Sequence, residues 1–238
     1  MKGYRVDGED RVVFSADMTL TELIDANNSL LTLLLRLDIQ LPFGDVTVEQ
    51  MCRKNGFSVA LFLMMCQVYS SVDYTPVIEY VIPSDLKLLL SYLKASHHSY
   101  REVLIPRIGR GVDRLLEKCD DKQRAVLHKF YEDYAEEVYS HLDYEEQVIF
   151  PYVESLALTG AEKLQITDLM EHHNDICDKV EDITSILIKY LPESCNIQER
   201  SEVLFDLFDL RDDLAKHTRL EMRILEPALA TIERRMKL

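Results

Sequence analysis

The chain has 238 residues, and its 42 acidic side chains outnumber the 27 basic ones, which leaves a formal net charge of −15. This balance argues against sequence-independent binding to nucleic acid or to an anionic membrane surface. Hydrophobic residues make up 47% of the chain, so a substantial core is expected and wholesale disorder is not. Only 7 Gly and 7 Pro are present, and so few turn formers favour a few long helices.

Nothing in the sequence predicts export or membrane insertion. The first residues lack the apolar core of a signal peptide, and the longest apolar run, 59–66, is too short to span a bilayer. The 5 cysteines are scattered without a C-x-x-C pair, so neither a disulfide framework nor a thiolate zinc site is expected. Together these features predict a cytoplasmic protein.

The first part of the chain predicts a small helical domain at 17–72, after an irregular extension at 1–16. Capping residues mark the starts of three short helices, and one glycine marks a stop. In chain order these signals are Asp17 or Thr19 (the latter with Glu22), Thr47 with Gln50, Gly56, and Ser58. The leucines from Leu20 to Leu35 recur at helical spacing, which predicts a single first helix.

Two prolines and the loss of helical periodicity mark 73–83 as a linker, after which residues 84–238 predict a four-helix bundle. Four long segments have a helical pattern, at roughly 84–118, 121–155, 161–191 and 197–235. Their connections are short, which favours an up-down-up-down arrangement. Pro106 falls inside the first segment and is expected to kink or interrupt it. The predicted fold class is therefore all-α.

Each long helix carries one histidine on its apolar seam. In the first helix the seam passes in steps of three or four residues through His97, Tyr100 and Leu104. The seam histidines of the other three helices are His141, His173 and His217. Glu145 and Glu221 follow two of these histidines one helical turn later, and so lie on the same faces.

A buried carboxylate is costly unless it is paired, protonated or bound to a metal. Four histidines and two glutamates that converge from four helices therefore predict a site for a pair of cations. Imidazole suits iron, copper, nickel or zinc, and carboxylates can bridge two ions. The identity of two ligands stays open, because His98 is an alternative to His97, and His172 is an alternative to His173. His128 precedes the second seam histidine by about 20 Å of helix and is expected at the surface.

Two segments resemble the motif of hemerythrin-like (HHE cation-binding) domains. The stretch from His141 to Pro151, HLDYEEQVIFP, is similar to H-x-x-x-E-E-x-x-x-F-P. The stretch from His217 to Pro227 resembles a second copy, with Glu226 in the place of Phe. Within that superfamily the chain is similar to the di-iron iron–sulfur cluster repair family, Repair of Iron Centres. Members of that family join a small N-terminal helical domain to a hemerythrin-like bundle.

The resemblance implies two non-haem iron ions, bridged by an oxo or hydroxo group and by two glutamates. The implied ligands are His97, His141, Glu145, His173, His217 and Glu221. Around two octahedral irons these groups leave about two positions open for O2, NO or peroxide. The implied role is repair of iron–sulfur clusters, or a response to nitrosative or oxidative stress, with iron–sulfur proteins as clients.

The residues leave two other functions and several partners open. One alternative is an O2- or NO-binding carrier or sensor of hemerythrin type, and the other is an interaction protein with a structural metal. The sequence assigns no catalytic residue. We expect no nucleic acid or membrane partner, and the sequence leaves open whether the chain forms a homodimer. In the N-terminal domain Pro42 and Phe43 stand where the repair family has a cysteine pair, so its thiol chemistry does not carry over.

Overall fold

The computed structural model describes the backbone of residues 5–6, 12–159, 173–192 and 195–236, and the side chains of 12–156, 179–192 and 195–235. Across these ranges the ordered elements are helices, apart from two short strands. Strands β1 (Arg5–Val6) and β2 (Val12–Val13) pair antiparallel, with Arg5 opposite Val13. This pair lies inside the segment that the sequence predicts as an irregular extension. In the described ranges no helix has both the length and the apolar character that a membrane crossing requires.

Four short helices follow the strands. They are α1 (Leu20–Ala26), α2 (Leu30–Arg36), α3 (Val48–Asn55) and α4 (Val59–Ser70). The capping boxes predicted at Thr19 and Thr47 are confirmed, since each threonine hydroxyl accepts a hydrogen bond from the backbone N–H three residues on. Gly56 ends α3 with φ of 68°, a left-handed conformation that glycine adopts without steric cost.

The leucine-rich segment forms two helices, and the prediction of one helix is wrong. The side-chain oxygen of Asn27 accepts a hydrogen bond from the backbone N–H of Ser29 at 3.0 Å. Such local bonds compete with the helical pattern, and they end α1 before the leucines run out. Both helices still bury leucines completely, because Leu23 and Leu33 are each 0% exposed.

The remaining helices are long, and three of them change their hydrogen-bond pattern partway. Two 3-10 turns, Ile78–Tyr80 and Pro83–Asp85, come before the first of these helices. In the described part of the chain, three five-residue π-helical turns each join two α-helices. The turn π1 (Tyr100–Leu104) joins α5 (Leu86–Ser99) to α6 (Ile105–Leu116), and π2 (Glu145–Ile149) joins α7 (Asp121–Tyr144) to α8 (Phe150–Thr159). The turn π3 (Glu221–Leu225) joins α10 (Ile197–Leu220) to α11 (Glu226–Met236). Helix α9 (His173–Lys189) lies between α8 and α10 in the chain.

A proline follows directly after each π turn closes. The N–H of Ile105 donates to the carbonyl oxygen of Tyr100, five residues earlier, and Pro106 comes next. The same step recurs just before Pro151 and Pro227. Proline has no N–H to donate, and its ring crowds the carbonyl four residues back. A π turn widens the helix at that point, so the chain continues as a helix instead of breaking.

Each π turn holds one residue more than an α-helical turn, so the buried seam moves by one position. The sequence predicts that the buried seam continues from Tyr100 to Leu104, and this prediction is wrong. The structure buries Ile105 at 2% exposure and leaves Leu104 only partly buried. A seam counted at a constant 3.6 residues per turn misses the residue that the π turn adds.

The chain packs as two compact units. The first comprises Met1–Ala95, Tyr152–Glu162 and Arg219–Leu238, and the second comprises Ser96–Pro151 and Lys163–Thr218. In the first unit the ring of Tyr92 packs edge-on against Tyr69, with 6.2 Å between the ring centroids. The hydroxyl of Tyr92 accepts a hydrogen bond from Arg36 at 3.1 Å, which ties α2 to α5.

The second unit has a continuous apolar core built by α6, α7, α9 and α10. Val138, Val180 and Leu207, from three different helices, are each 0% exposed in this core. Helices α6 and α10 approach closely at Gly111, where an added Cβ would lie 2.6 Å from Cγ2 of Val203. This close packing fixes the rotation of α10, the helix that carries the seam histidine His217.

Candidate metal centre

Four buried side chains with nitrogen or oxygen donors converge in the structure. They are His97 on α5, Glu145 at the start of π2, His217 on α10 and Glu221 at the start of π3. One donor atom from each residue lies within 4.8 Å of the donor atoms of the other three. None of the four residues is more than 3% exposed. Two carboxylates and two imidazoles gathered in buried surroundings form a donor set that suits a metal cation.

The carboxylate of Glu145 faces two histidines at the same time. Its Oε2 lies 3.0 Å from Nε2 of His97, and its Oε1 lies 3.3 Å from Nε2 of His141. The side chain of His141 is 10% exposed, slightly more than the others. Because the two oxygens of one carboxylate point at two imidazoles, Glu145 has the orientation of a group that can bridge two ions.

Both glutamates of the cluster lie where a π turn begins. Glu145 and Glu221 are each the first residue of a π turn, and each follows a seam histidine by four residues. The four-residue spacing keeps the histidine and the glutamate on one helix face. The wider turn begins only after the glutamate, so it leaves this pairing intact and changes the direction of the residues that follow. Single π turns in α-helices are frequent at functional sites.

Aromatic rings enclose the two most buried histidines. The ring centroids of His97 and His217 are 5.2 Å apart. The ring centroid of Phe150 lies 4.9 Å from that of His97, and the rings of Tyr100 and His217 form a T-shaped pair with centroids 5.6 Å apart. These rings displace water from the cluster, which lowers the local dielectric and strengthens electrostatic interactions there. Two carboxylates in such surroundings favour the presence of positive charge.

Glu146 contacts the cluster from outside and is missing from the predicted ligand set. Its Oε1 lies 3.0 Å from Nδ1 of His97, while its side chain remains 41% exposed. The ring of His97 is therefore held between two neighbouring carboxylates, with Glu145 at Nε2 and Glu146 at Nδ1. Ligand histidines commonly donate their second N–H to a carboxylate in this way. The motif has two adjacent glutamates, but only the contact between α5 and π2 shows that Glu146 reaches the ring of His97.

The structure places the remaining histidines differently. His98 is exposed, so of the two neighbours on α5 it is His97 that joins the cluster. His128 is 46% exposed and lies 3.1 Å from Glu132 and 3.5 Å from Asp113, as expected of a surface residue. His172 lies outside the described residues. Of His173 only the backbone is described, at the start of α9, so the fourth predicted seam ligand also falls outside.

Comparison with known proteins points to the same chemistry. Residues 88–229, more than half of the chain, match the family model described as the hemerythrin HHE cation binding domain. No curated protein and no solved structure matches the chain. The matched span contains all six predicted ligands, including the four donors that converge in the structure. The chain therefore belongs to the hemerythrin HHE cation-binding domain family and carries a buried His/Glu group suited to a metal ion.

Proposed function

We propose that this chain is a non-haem di-iron protein with a centre bound by four histidines and two glutamates. The proposed ligands are His97, His141, Glu145, His173, His217 and Glu221. The observation that carries the proposal is the Glu145 carboxylate, whose oxygens face His97 at 3.0 Å and His141 at 3.3 Å. Glu221 adds a second buried carboxylate to the cluster, so two ions can share two carboxylates.

The proposed centre lies in an up-down-up-down four-helix bundle at 84–238, with a small helical domain at 17–72 before it. Short connections support this topology, because antiparallel neighbours in a bundle need few residues between them. Helix α6 ends at Leu116 and α7 begins at Asp121, while α9 ends at Lys189 and α10 begins at Ile197.

The side chains of this chain have distinct tasks at such a centre. His97 and His141 present Nε2 toward the carboxylate of Glu145, so these atoms are placed to bind. Glu146 accepts the Nδ1 proton of His97 and thereby holds its Nε2 inward. Phe150 keeps water from the ring of His97. Iron, when bound, supplies redox chemistry and open coordination positions for a small ligand such as O2, NO or peroxide.

The proposed role is repair of iron–sulfur clusters, or a response to nitrosative or oxidative stress. The support is the similarity of the sequence to the Repair of Iron Centres family, in which four histidines and two glutamates bind two irons. A fifth seam histidine, which respiratory hemerythrins carry, is not evident in the sequence. Proteins with damaged clusters would then be the clients of this chain.

The centre itself is tested by metal analysis of the full-length protein from iron-replete cells. We expect about two irons per chain and a near-ultraviolet absorption band. Glu145→Gln and Glu221→Gln keep the side-chain shape and remove the charge, so both should lose iron and the band. The matched control is Glu136→Gln, at an exposed position of α7, which should retain both. An iron-free wild type, or an unchanged spectrum in both cluster variants, would overturn the proposal.

The role is tested by incubating the iron-loaded protein with an enzyme whose [4Fe–4S] cluster has been damaged by peroxide or NO. Recovery of that enzyme's activity with the wild type, and none with Glu145→Gln, supports repair. Failure to recover, together with reversible O2 or NO binding, would replace repair by a carrier or sensor function.

A further inference from the structure

Two cysteines that the metal centre does not use meet at one end of the second unit. Cys119 follows α6 and Cys195 precedes α10, and they are 6% and 5% exposed. Both thiols approach one acceptor, the carbonyl oxygen of Leu115. The Sγ of Cys195 lies 3.5 Å from this oxygen, and the Sγ of Cys119 lies 3.9 Å from it. Because both thiols converge on this one oxygen, the two sulfurs are neighbours.

Each of the two cysteine segments is fastened by an arginine. Arg124 donates to the carbonyl oxygens of Leu116 at 3.0 Å and of Cys119 at 3.2 Å. Arg200 donates to the carbonyl oxygen of Pro192 at 2.7 Å, and the same oxygen accepts from the N–H of Cys195 at 3.1 Å. These bonds hold the backbone at both positions, and this keeps the two thiols near the carbonyl oxygen of Leu115.

We infer that Cys119 and Cys195 form a dithiol site that a hydroperoxide converts into a disulfide. One thiol attacks the peroxide oxygen, which breaks the O–O bond and yields a sulfenic acid and water or an alcohol. The second thiol then displaces the sulfenic hydroxyl as water, and the S–S bond forms. In total the two cysteines lose two protons and two electrons, and the peroxide takes them up. The disulfide links the α6–α7 connection to the segment just before α10.

The dithiol site is separate from the metal centre. From Asp121, two residues after Cys119, α7 runs about 30 Å to His141, at 1.5 Å per residue. Burial raises the pKa of the Cys119 thiol, so little thiolate is present at neutral pH. The reaction is therefore slower than that of an exposed cysteine, and it needs sustained exposure to peroxide.

The test is mass spectrometry of the full-length protein after treatment with hydrogen peroxide and alkylation of the remaining thiols under denaturing conditions. We expect the loss of two alkylation sites per chain, and a dithiothreitol-sensitive cross-link between the peptides that contain Cys119 and Cys195. The same cross-link should form in protein freed of metal with a chelator, because the site lies far from the centre.

Variants separate this pair from the other cysteines. Cys119→Ser and Cys195→Ser should each lose the cross-link, while Cys52→Ser, at a buried position of α3, should keep it. Should Cys119→Ser or Cys195→Ser fail to fold, the peptide map of the wild type remains decisive. Full alkylation of Cys119 and Cys195 after peroxide treatment, or a cross-link between other cysteines alone, would overturn the inference.

Discussion

Nδ1 of His97 lies 3.0 Å from Oε1 of Glu146, and this contact joins a fully buried ring to a carboxylate that is 41% exposed. The opposite nitrogen of the same ring faces Glu145. A solvent-exposed residue therefore fixes the orientation of a buried metal-binding candidate. Such outer carboxylates raise the basicity of a ligand histidine and select the tautomer that presents Nε2 inward.

Glu146→Gln should weaken metal binding without unfolding the protein. The amide keeps the size of the side chain but loses the charge that holds the Nδ1 proton of His97. We expect metal affinity to fall by about 10- to 100-fold and the absorption band to shift in position. Competition titration with a chelator and visible spectroscopy measure the two effects.

The matched control for Glu146→Gln is Glu136→Gln, which changes another exposed carboxylate, on α7. It should change neither the affinity nor the spectrum. Equal affinities for the wild type and Glu146→Gln would show that the contact with His97 does not position a ligand.

Glu221→Leu should remove most of the stability that the protein gains from metal. Glu221 is 3% exposed and is one of the two buried carboxylates of the cluster, so leucine takes away a proposed ligand. Metal that binds only the folded state stabilises that state, by about 2.7 kcal/mol at a free concentration 100-fold above the dissociation constant. The variant should bind metal more weakly and therefore gain less stability from it.

Urea denaturation of the wild type and Glu221→Leu, with and without ferrous iron, measures how much iron adds to the free energy of unfolding of each protein. The expectation fails if the variant gains as much stability from iron as the wild type does.

The donor residues could be predicted from sequence because helical spacing is regular before each π turn. His97, Glu145, His217 and Glu221 all lie at or before the first residue of a turn. Counting by threes and fours therefore gives the correct face for these positions. The counting fails immediately afterwards, where Ile105 replaces Leu104 in the buried seam.

Two other features could not be predicted because they depend on contacts between distant parts of the chain. One helix alone does not reveal that the exposed Glu146 reaches the ring of His97. The same holds for the neighbouring thiols of Cys119 and Cys195, since their sequence spacing suggests no pairing. The break at Asn27, by contrast, is local, and its asparagine was a usable signal.

Gly111→Ala should destabilise the protein although alanine is the better helix former. The added methyl would lie 2.6 Å from Cγ2 of Val203, a branched side chain that is 2% exposed. We expect a net loss of about 1–3 kcal/mol in the free energy of unfolding.

The double variant Gly111→Ala with Val203→Ala should recover part of that loss, because the second change removes the clashing methyl groups. Chemical denaturation of the wild type, the two single variants and the double variant gives the coupling energy between the two sites. Additive losses would show that the two side chains do not clash.

The stability of the folded chain should fall in alkaline solution through Cys52. Burial raises the pKa of the Cys52 thiol from 9.0 to about 11. Between these pH values the folded protein keeps a proton that the unfolded chain releases, so rising pH favours unfolding. The stabilisation is complete below pH 9, and we expect about 2 kcal/mol of it to be lost by pH 11.

Cys52→Ala has no thiol to titrate and should show a shallower decline in the free energy of unfolding over the same pH range. The difference between the wild type and Cys52→Ala cancels the contribution of the tyrosines and lysines that also titrate in this pH range. Parallel pH profiles for the two proteins would contradict the effect.

The π turns also determine where the long helices can tolerate a change in length. Deleting one residue from the interior of an α-helix turns everything beyond it by about 100°, and the buried face is lost. Val103 lies within π1 and is 48% exposed. Its removal would return this turn to α-helical pitch while Ile105 and the residues beyond it stay in phase. The remaining cost would fall on Pro106, which would then sit in a regular helix at about 3 kcal/mol. The loss of a single residue is thus more easily absorbed at a π turn, beside the candidate metal-binding residues, than in the middle of an α-helix.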